Sequence, residues 1–182
     1  TVISSMILPT PVKVAEAAVE MAKSGELWTD IWASVRRIFL GYSFATVMAI
    51  LVGAVAGRLY VVRGLLLPLL NFVRAISPTA LVPVMIIWFG IGESSKVLLV
   101  GYTAFITVFF NTLAGVANVS PTRERAAQTL GASPFKVFRL VVFPSAMPDI
   151  LTGMRVGLGL SFMSVVAAEL IAAESGIGFL IM

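Results

Sequence analysis

Four stretches of the chain carry little or no charge and are long enough to cross a lipid bilayer. A membrane-spanning helix needs about 20 predominantly apolar residues. The first three stretches contain no acidic or basic residue, whereas the fourth holds Arg155 near its start and Glu169 near its end. The predicted spans are residues 38–57, 75–92, 97–116 and 150–173. This pattern predicts an all-α polytopic membrane protein, a helical bundle with about four spans.

Glycines and prolines give two of these spans a distinct character. Gly53 and Gly57 lie about one helical turn apart, so they offer a small-residue face that another helix could approach closely. The alternative is that these glycines are merely tolerated, as they are in many membrane helices. Pro78 and Pro83 should bend the second span, because prolines persist in membrane helices where neighbouring groups satisfy the freed carbonyls.

Residues 58–74 are more polar than the spans on either side. Arg58, Arg63 and Arg74 bracket short apolar pieces, and Pro68 interrupts the middle. These features predict a connector or a helix in the membrane interface instead of a span. We therefore expect Arg74 at the cytoplasmic edge of the second span.

The two ends of the sequence differ from the spans. Residues 1–37 mix charged and apolar positions, which predicts an outer amphipathic segment beyond the hydrocarbon. Residues 38–182 then form the membrane domain, with a polar loop at residues 118–149 on the cytoplasmic side. No signal peptide is predicted, since the first residues lack a basic region and a cleavage site. The sequence stops inside an apolar run, so we expect a fragment of a longer chain.

The composition favours lipid over water as the solvent of this chain. Of its 182 residues, 59% are hydrophobic and 12% charged, whereas soluble domains average about half and about a quarter. The formal net charge of +4 comes from basic residues scattered between apolar runs. Cytoplasmic loops and inner-leaflet lipid explain this charge better than nucleic acid does, so we expect no nucleic-acid partner.

The residue types present exclude several kinds of chemistry. The chain has no Cys and no His, which removes thiol chemistry, zinc sites built on these residues and imidazole bases. The segment from Gly90 to Lys96 lacks the second glycine that a phosphate-binding loop places before its lysine. We therefore expect no catalytic residue, no metal, no cofactor and no nucleotide site.

Basic residues beside the spans predict the orientation of the chain in the membrane. The side with more of them should be cytoplasmic. That side carries Arg58, Arg63, Arg74, Arg123, Arg125, Lys136 and Arg139. The other side carries Lys96, Arg36 and Arg37, and the three tryptophans then fall near the outer interface, which suits indole rings.

The loop at residues 118–149 predicts two short helices joined by a sharp turn. Ser120 and Ser133 each precede a proline, so each is placed to cap a helix that begins at that proline. Gly131 is placed to end the first helix in the left-handed conformation, and Pro144 to end the second.

The first of these helices offers a surface for a partner, because Ala126 and Ala127 leave a smooth face that a groove could accept. An ordinary structured loop is the alternative on these residues alone. The spacing of the loop, however, resembles the Glu-Ala-Ala loop of bacterial binding-protein-dependent ABC importer permeases. That motif runs Glu-Ala-Ala, three residues, Gly, nine residues, Ile-x-Leu-Pro. The matching residues here are Arg125, Ala126, Ala127, Gly131, Val141, Phe143 and Pro144.

Two positions depart from the motif, although its spacing is kept throughout. Arg125 stands where the family has glutamate, with Glu124 one place earlier, and Phe143 replaces the leucine. Successive residues point about 100° apart around a helix, so Glu124 cannot simply inherit a contact of the family glutamate.

Other segments are similar to the nitrate, sulfonate, taurine and bicarbonate branch of these permeases. Those segments are Leu27 to Arg37, Trp88 to Glu93, Ala167 to Ile171 and Gly176 to Gly178. The stretch from Arg125 to Ser133 is most similar to taurine permeases.

The resemblance implies a type I ABC importer permease fold in the bacterial inner membrane. Family members have six spans, so this chain would lack the first and the last. They work as pairs, so a homodimer is expected here, with two ATPase subunits and a periplasmic or lipid-anchored solute-binding protein. The implied cargo is a small anion, taurine or another sulfonate first and nitrate or bicarbonate next. The implied ATPase-coupling residues are Glu124, Arg125, Ala126, Ala127, Gly131 and Pro144.

Two other classes of function stay open. A secondary transporter or channel would share the spans, but it should show an intramembrane ion site and has no need of this loop. A membrane-bound enzyme lacks plausible acid–base groups, since Glu169 alone is a poor candidate. A helix-end acid paired with a neighbouring arginine accounts better for that residue.

The membrane charges predict one pairing and exclude another. Glu169 lies roughly 28 Å from the cytoplasmic end of the fourth span at 1.5 Å per residue, and an isolated charge at depth is costly. We therefore expect it to pair with a cation near the outer surface. The candidates are Arg36 and Arg37, with Lys96 third. Arg74 should lie a bilayer away, and Arg155, roughly 8 Å from the cytoplasmic end, should extend to the inner interface.

Overall fold

The computed structural model describes residues 11–172 and 175–181, which are helical and contain no strand. The helices are α1 (Pro11–Ser24), α2 (Glu26–Arg58), α3 (Tyr60–Arg74), α4 (Pro78–Phe89), α5 (Glu93–Ala117), α6 (Pro121–Thr129), α7 (Pro134–Val137) and α8 (Phe143–Ala172). A π-helical turn, Phe138–Val142, joins α7 to α8, and a 3₁₀ turn covers Phe179–Ile181. The predicted all-α class is confirmed.

Three long helices form the bundle, with α5 packed between α2 and α8. Among the described residues, α2, α5 and the stretch Pro134–Ile171 are each long and apolar enough to cross a membrane. Helices α3 and α4 form a further candidate span that is bent by 93° at its break. The structure therefore has three or four candidate spans, in agreement with the sequence.

Glycines allow the long helices to pack closely. A Cβ atom at Gly53 would lie 3.0 Å from the carbonyl oxygen of Phe109, and one at Gly57 would lie 2.8 Å from the Cβ of Val116. The predicted small-residue face is therefore confirmed, and the helix that approaches it is α5. On the opposite side of α5, a Cβ at Gly153 would lie 2.6 Å from the Cβ of Asn111, so α8 approaches α5 in the same way.

The first span begins earlier than the sequence suggested. The helix that contains residues 38–57 starts at Glu26 and runs for 33 residues without interruption. Charged residues in its first turns do not end the helix. Two of them, Asp30 and Arg37, are buried and have hydrogen-bond partners within the bundle.

The second span is built differently from the prediction of a helix over residues 75–92 after a connector. The first part of this candidate span is α3, whose side chains Leu66 and Leu70 pack against the core between α2 and α5. The chain then breaks at residues 75–77 and continues as α4. The prolines do not simply bend one helix: Pro78 is the first residue of α4, a position that needs no backbone N–H.

Arg74 lies beside the candidate span α5, whereas the sequence analysis expected it at the cytoplasmic edge of the second span. The hydroxyl of Tyr102 donates to the carbonyls of Val73 (2.7 Å) and Ile76 (3.0 Å), which places the break beside Tyr102. Tyr102 lies nine residues after Glu93, the first residue of α5, which is roughly 14 Å along the helix axis at 1.5 Å per residue. Charge patterns alone do not distinguish an interfacial arginine from one that faces a cavity, so they could not predict this contact.

Pro144 was expected to end a helix, and this was also wrong. It lies in the first turn of α8, which continues to Ala172. Proline normally clashes with the carbonyl four residues earlier, here that of Leu140. Leu140 lies in the wider π-helical turn, where Phe143 N–H donates to the carbonyl of Phe138, so the helix accommodates the ring.

The predicted helix ends in the polar loop are largely confirmed. Helices α6 and α7 begin at prolines, and the Ser133 side chain accepts a hydrogen bond from Lys136 N–H at 3.4 Å. Ser120 makes no such side-chain bond; its carbonyl accepts from Arg123 N–H instead, at 3.1 Å. Gly131 has φ +81° and ends α6 in the left-handed conformation, as expected.

Candidate functional site

One end of the bundle contains a cluster of charged and polar side chains, four of them buried and one, Glu93, exposed. Asp30, Ser34 and Arg37 recur at helical spacing on one face of α2, and their exposed fractions are 5%, 0% and 2%. Across from them lie Glu169 of α8, which is fully buried, and Glu93 at the start of α5. We call these five residues the outer charge cluster.

Arg37 joins the two carboxylates of the outer charge cluster. Its Nη1 donates to Glu169 Oε1 at 2.6 Å, its Nε donates to Glu93 Oε2 at 2.7 Å, and its Nη2 bonds the other oxygen of Glu93. This two-point contact with Glu93 uses the planar fork of the guanidinium. Lys96 lies 3.8 Å from the same carboxylate of Glu93. The cluster therefore fixes the ends of α2, α5 and α8 to one another.

The segment 175–178 is bound to the same cluster through its backbone. Gly176 N–H donates to Asp30 Oδ1 (2.9 Å), Ile177 N–H to Ser34 Oγ (3.0 Å) and Gly178 N–H to Glu169 Oε2 (2.9 Å). Ser34 Oγ in turn donates to Glu169 Oε1 at 2.6 Å. These groups use their hydrogen-bonding capacity on one another. The arrangement therefore holds the segment 175–178 against α2 and α8 and leaves these groups few free contacts for a ligand.

The predicted partner of Glu169 is thus confirmed as Arg37, and Arg74 does not contact it. The roles of Asp30, Ser34 and Glu93 were missed by the sequence analysis. The spacing of Asp30, Ser34 and Arg37 on one helical face was the available signal, because polar residues on a buried face need partners.

At the opposite end of the bundle, α6 lies against the end of α2. Glu124 forms an ion pair with Arg58, the last residue of α2. Ala127 packs against the core cluster that contains Val137 and Val142. The two predicted alanines therefore separate: Ala127 fixes α6 to the bundle, whereas Ala126 is exposed.

Five exposed residues lie on α6, on the turn after it and at the start of α7, and we call them the α6 surface. They are Arg125, Ala126, Leu130, Gly131 and Phe135. Leu130 is 88% exposed and Phe135 is 71% exposed, which is unusual for large apolar side chains on a polar loop. Glu124 is turned toward Arg58 and so is separated from this surface, as the helical geometry suggested.

The remaining predicted residues lie elsewhere. Pro144 is exposed on the first turn of α8, beyond the loop. Arg155 is exposed on α8, and its extension to the inner interface stays a prediction.

An open cavity of about 630 Å³ lies between the α3–α4 break, α5 and α8. Small-molecule sites fall within about 300–1,000 Å³, so the cavity is large enough for a small solute. Arg74 lines it and is the only charged side chain among the described residues that do so. The Cζ of Arg74 lies 4.9 Å from the centre of the Phe110 ring. The other polar residues of its wall are Asn111 and five residues with a hydroxyl group: Thr79, Tyr102, Thr103, Thr107 and Ser164.

Comparison with known proteins gives a family match and close relatives. The model of a family described as "binding-protein-dependent transport system inner membrane component" matches residues 45–182. Over 98% of its length the chain is 44% identical to the taurine transport system permease protein TauC of Escherichia coli, and it covers 67% of that protein. It is 34% identical over its full length to the putative aliphatic sulfonates transport permease protein SsuC of Bacillus subtilis, covering 66% of that protein.

A third relative is named for a different substrate. Over 86% of its length the chain is 34% identical to the bicarbonate transport system permease protein CmpB of Synechococcus elongatus, and it covers 56% of that protein. The chain therefore spans between 56% and 67% of the length of these three relatives.

Proposed function

The chain belongs to the family of binding-protein-dependent transport system inner membrane components, and we propose that it is the permease subunit of an importer for small anions. It is a multi-pass protein of the bacterial inner membrane. Taurine or another sulfonate is the proposed cargo, with nitrate or bicarbonate next. The observation that carries this proposal is the 44% identity to a taurine permease along 98% of the chain.

The proposed assembly contains a second permease subunit of the same sequence, two subunits of a separate ATPase and a periplasmic or lipid-anchored solute-binding protein. The binding protein delivers the anion to the outer face. Closure of the ATPase dimer on ATP turns the permease outward, and hydrolysis resets it. This chain binds no nucleotide itself; labelling of the isolated subunit by a photoreactive ATP analogue, competed by ATP, would contradict that.

We place the ATPase contact on the α6 surface. Its exposed apolar residues and Arg125 are available to a partner's groove, whereas Glu124 and Ala127 fix α6 to the bundle. Pairs of cysteines between α6 and the ATPase test this contact, and the chain contains no native cysteine. Ala126→Cys should crosslink and its neighbour Ala127→Cys should not. Failure of every outward position in an active complex would contradict the contact.

Uptake measurements test the cargo and the energy source together. Cells that lack their own sulfonate systems should import labelled taurine when they express the full-length permease, the ATPase and the binding protein. Import of a cation or a large peptide with no anion transported would overturn the proposed cargo. Uptake that persists with a hydrolysis-deficient ATPase would favour a secondary transporter or channel instead.

A further inference from the structure

The hydroxyl groups on the α5 and α8 walls of the cavity already have acceptors within the protein. Thr107 Oγ1 donates to the carbonyl of Thr103 (2.9 Å), and Asn111 Nδ2 donates to the carbonyl of Thr107 (2.9 Å). Ser164 Oγ lies 2.9 Å from the carbonyl of Leu160 and 2.9 Å from Thr103 Oγ1. Tyr102 donates to the carbonyls at the α3–α4 break. These walls therefore offer a solute few free donors.

Arg74 differs from the other polar groups of the cavity. Among residues 11–172 and 175–181, no carboxylate forms an ion pair with it, and its side chain is exposed to the cavity. Its contact with Phe110 involves the ring face and leaves the N–H groups of the guanidinium edge available. A charged residue at membrane depth is costly, so it is usually paired or in contact with a transported solute.

The start of α4 adds to the positive potential of this region. Pro78 and Thr79, the first two residues of α4, line the cavity. The first turn of a helix carries partial positive charge, and broken membrane helices place such ends near anionic substrates. Arg74 and the first turn of α4 therefore both make the electrostatic potential more positive in the same part of the cavity.

We propose that Arg74 and the first turn of α4 form an anion-binding site inside the membrane, which holds the sulfonate or equivalent oxyanion group of the transported solute. This inference rests on the proposed function and assigns a residue to its substrate. The planar guanidinium donates two parallel hydrogen bonds to two oxygens of one oxyanion. Tyr102 is a positioning residue, since it fixes the backbone on both sides of Arg74.

The test measures the charge of the cavity directly. In the full-length transporter, Thr79→Cys places one thiol on the cavity wall of a chain that has no native cysteine. Its reaction rates with two methanethiosulfonate reagents are compared, one carrying a sulfonatoethyl group and one a trimethylammonioethyl group. Addition of Arg74→Gln should lower the anionic-to-cationic rate ratio about tenfold, because it removes a nearby positive charge. Saturating taurine should protect the thiol only when Arg74 is present.

Two further variants separate charge from structure. Arg63→Gln is the matched control, since it removes an arginine from the same helix but not from the cavity wall; it should leave the ratio within about twofold. Arg74→Lys should keep the charge preference that Arg74→Gln loses. The proposal is overturned if Arg74→Gln leaves the ratio unchanged, if Arg74→Lys loses it equally, or if the thiol reacts with neither reagent.

Different results would contradict the proposed cargo and the proposed anion site. Absence of ATP-dependent taurine uptake by the unmodified transporter would overturn the proposed cargo while the rate ratio still reports the site. If uptake is intact and Arg74→Gln transports taurine with unchanged KM and kcat, the anion site is wrong and the proposed function stands. If Arg74→Gln fails to assemble, the anionic-to-cationic rate ratio is measured at increasing salt in the transporter that carries only Thr79→Cys. The ratio should fall as salt screens the positive charge, and a ratio that does not fall overturns the site.

Discussion

Arg37 of α2 forms ion pairs with carboxylates on both α5 and α8, so it links three helices at one end of the bundle. It is 2% exposed and faces both Glu169, which is fully buried, and Glu93. Removal of one partner from a buried ion pair costs about 3–5 kcal/mol, because the other charge stays buried without compensation. We expect Arg37→Met to lower the free energy of unfolding by about this amount, measured as a loss of thermal stability of the purified protein.

The adjacent arginine provides the control for this prediction. Arg36 is exposed, so Arg36→Met should change the stability by no more than about 0.5 kcal/mol. The double variant Arg37→Met with Glu169→Met should recover part of the loss, since it removes both buried charges. Equal stability of the Arg36 and Arg37 single variants would contradict the role of Arg37.

The sequence predicted the partner of a buried charge where the expected depth in the membrane left few candidates. The position of Glu169 near one end of a span restricted its partner to the arginines at the same level, and one of these is the partner observed. Glu93 was not found in this way, because it lies in a short polar turn where an exposed carboxylate is ordinary. Its contact with Arg37 depends on how α2 and α5 pack, which no local pattern contains.

At the scale of the helices, the approach of α2 to α5 depends on residues without side chains. A Cβ at Gly53 would already lie 3.0 Å from both the Phe109 carbonyl oxygen and the Thr112 Cβ. We expect Gly53→Leu to destabilise the protein by about 1–3 kcal/mol, since overpacking forces these helices apart. Thermal unfolding of the purified variant measures this. Gly64→Leu is the control, because a Cβ at Gly64 meets nothing within 4 Å; an equal effect of both variants would rule out close packing as the cause.

The same scale shows which features of the helices were not predictable. Charge counting separated residues 58–74 from 75–92 close to the observed break, but it did not show that α3 packs against the core between α2 and α5. A cavity that receives the arginine side chain is a property of three packed helices, and local sequence does not reveal it. Pro144 gave a stop signal that was overridden by the π-helical turn before it. Such turns have no reliable sequence pattern, so their effect appears only in the folded chain.

Across the whole molecule, polar groups gather at three levels along the bundle. The outer charge cluster closes one end, the cavity with Arg74 lies at middle depth, and the α6 surface occupies the other end. Composition and loop spacing were sufficient to predict a membrane permease and to select the loop that forms the α6 surface. They could not locate the cavity, because its walls come from segments as distant in sequence as Arg74 and Ser164.

The direction of the chain through the membrane is the last prediction, and it applies to the molecule as a whole. Ser94 and Leu130 are both exposed; Ser94 lies in the first turn of α5 and Leu130 beyond its last residue, at the opposite end of the bundle. Basic residues concentrate at the Leu130 end, which should therefore be cytoplasmic. In right-side-out vesicles, a membrane-impermeant maleimide should label Ser94→Cys and not Leu130→Cys, and inside-out vesicles should reverse this result. Since the chain has no native cysteine, each signal has a single source. Labelling of both positions from one side would show that α5 does not cross the membrane. Labelling of Leu130→Cys only from outside would invert the orientation. The α6 surface would then be out of reach of a cytoplasmic ATPase.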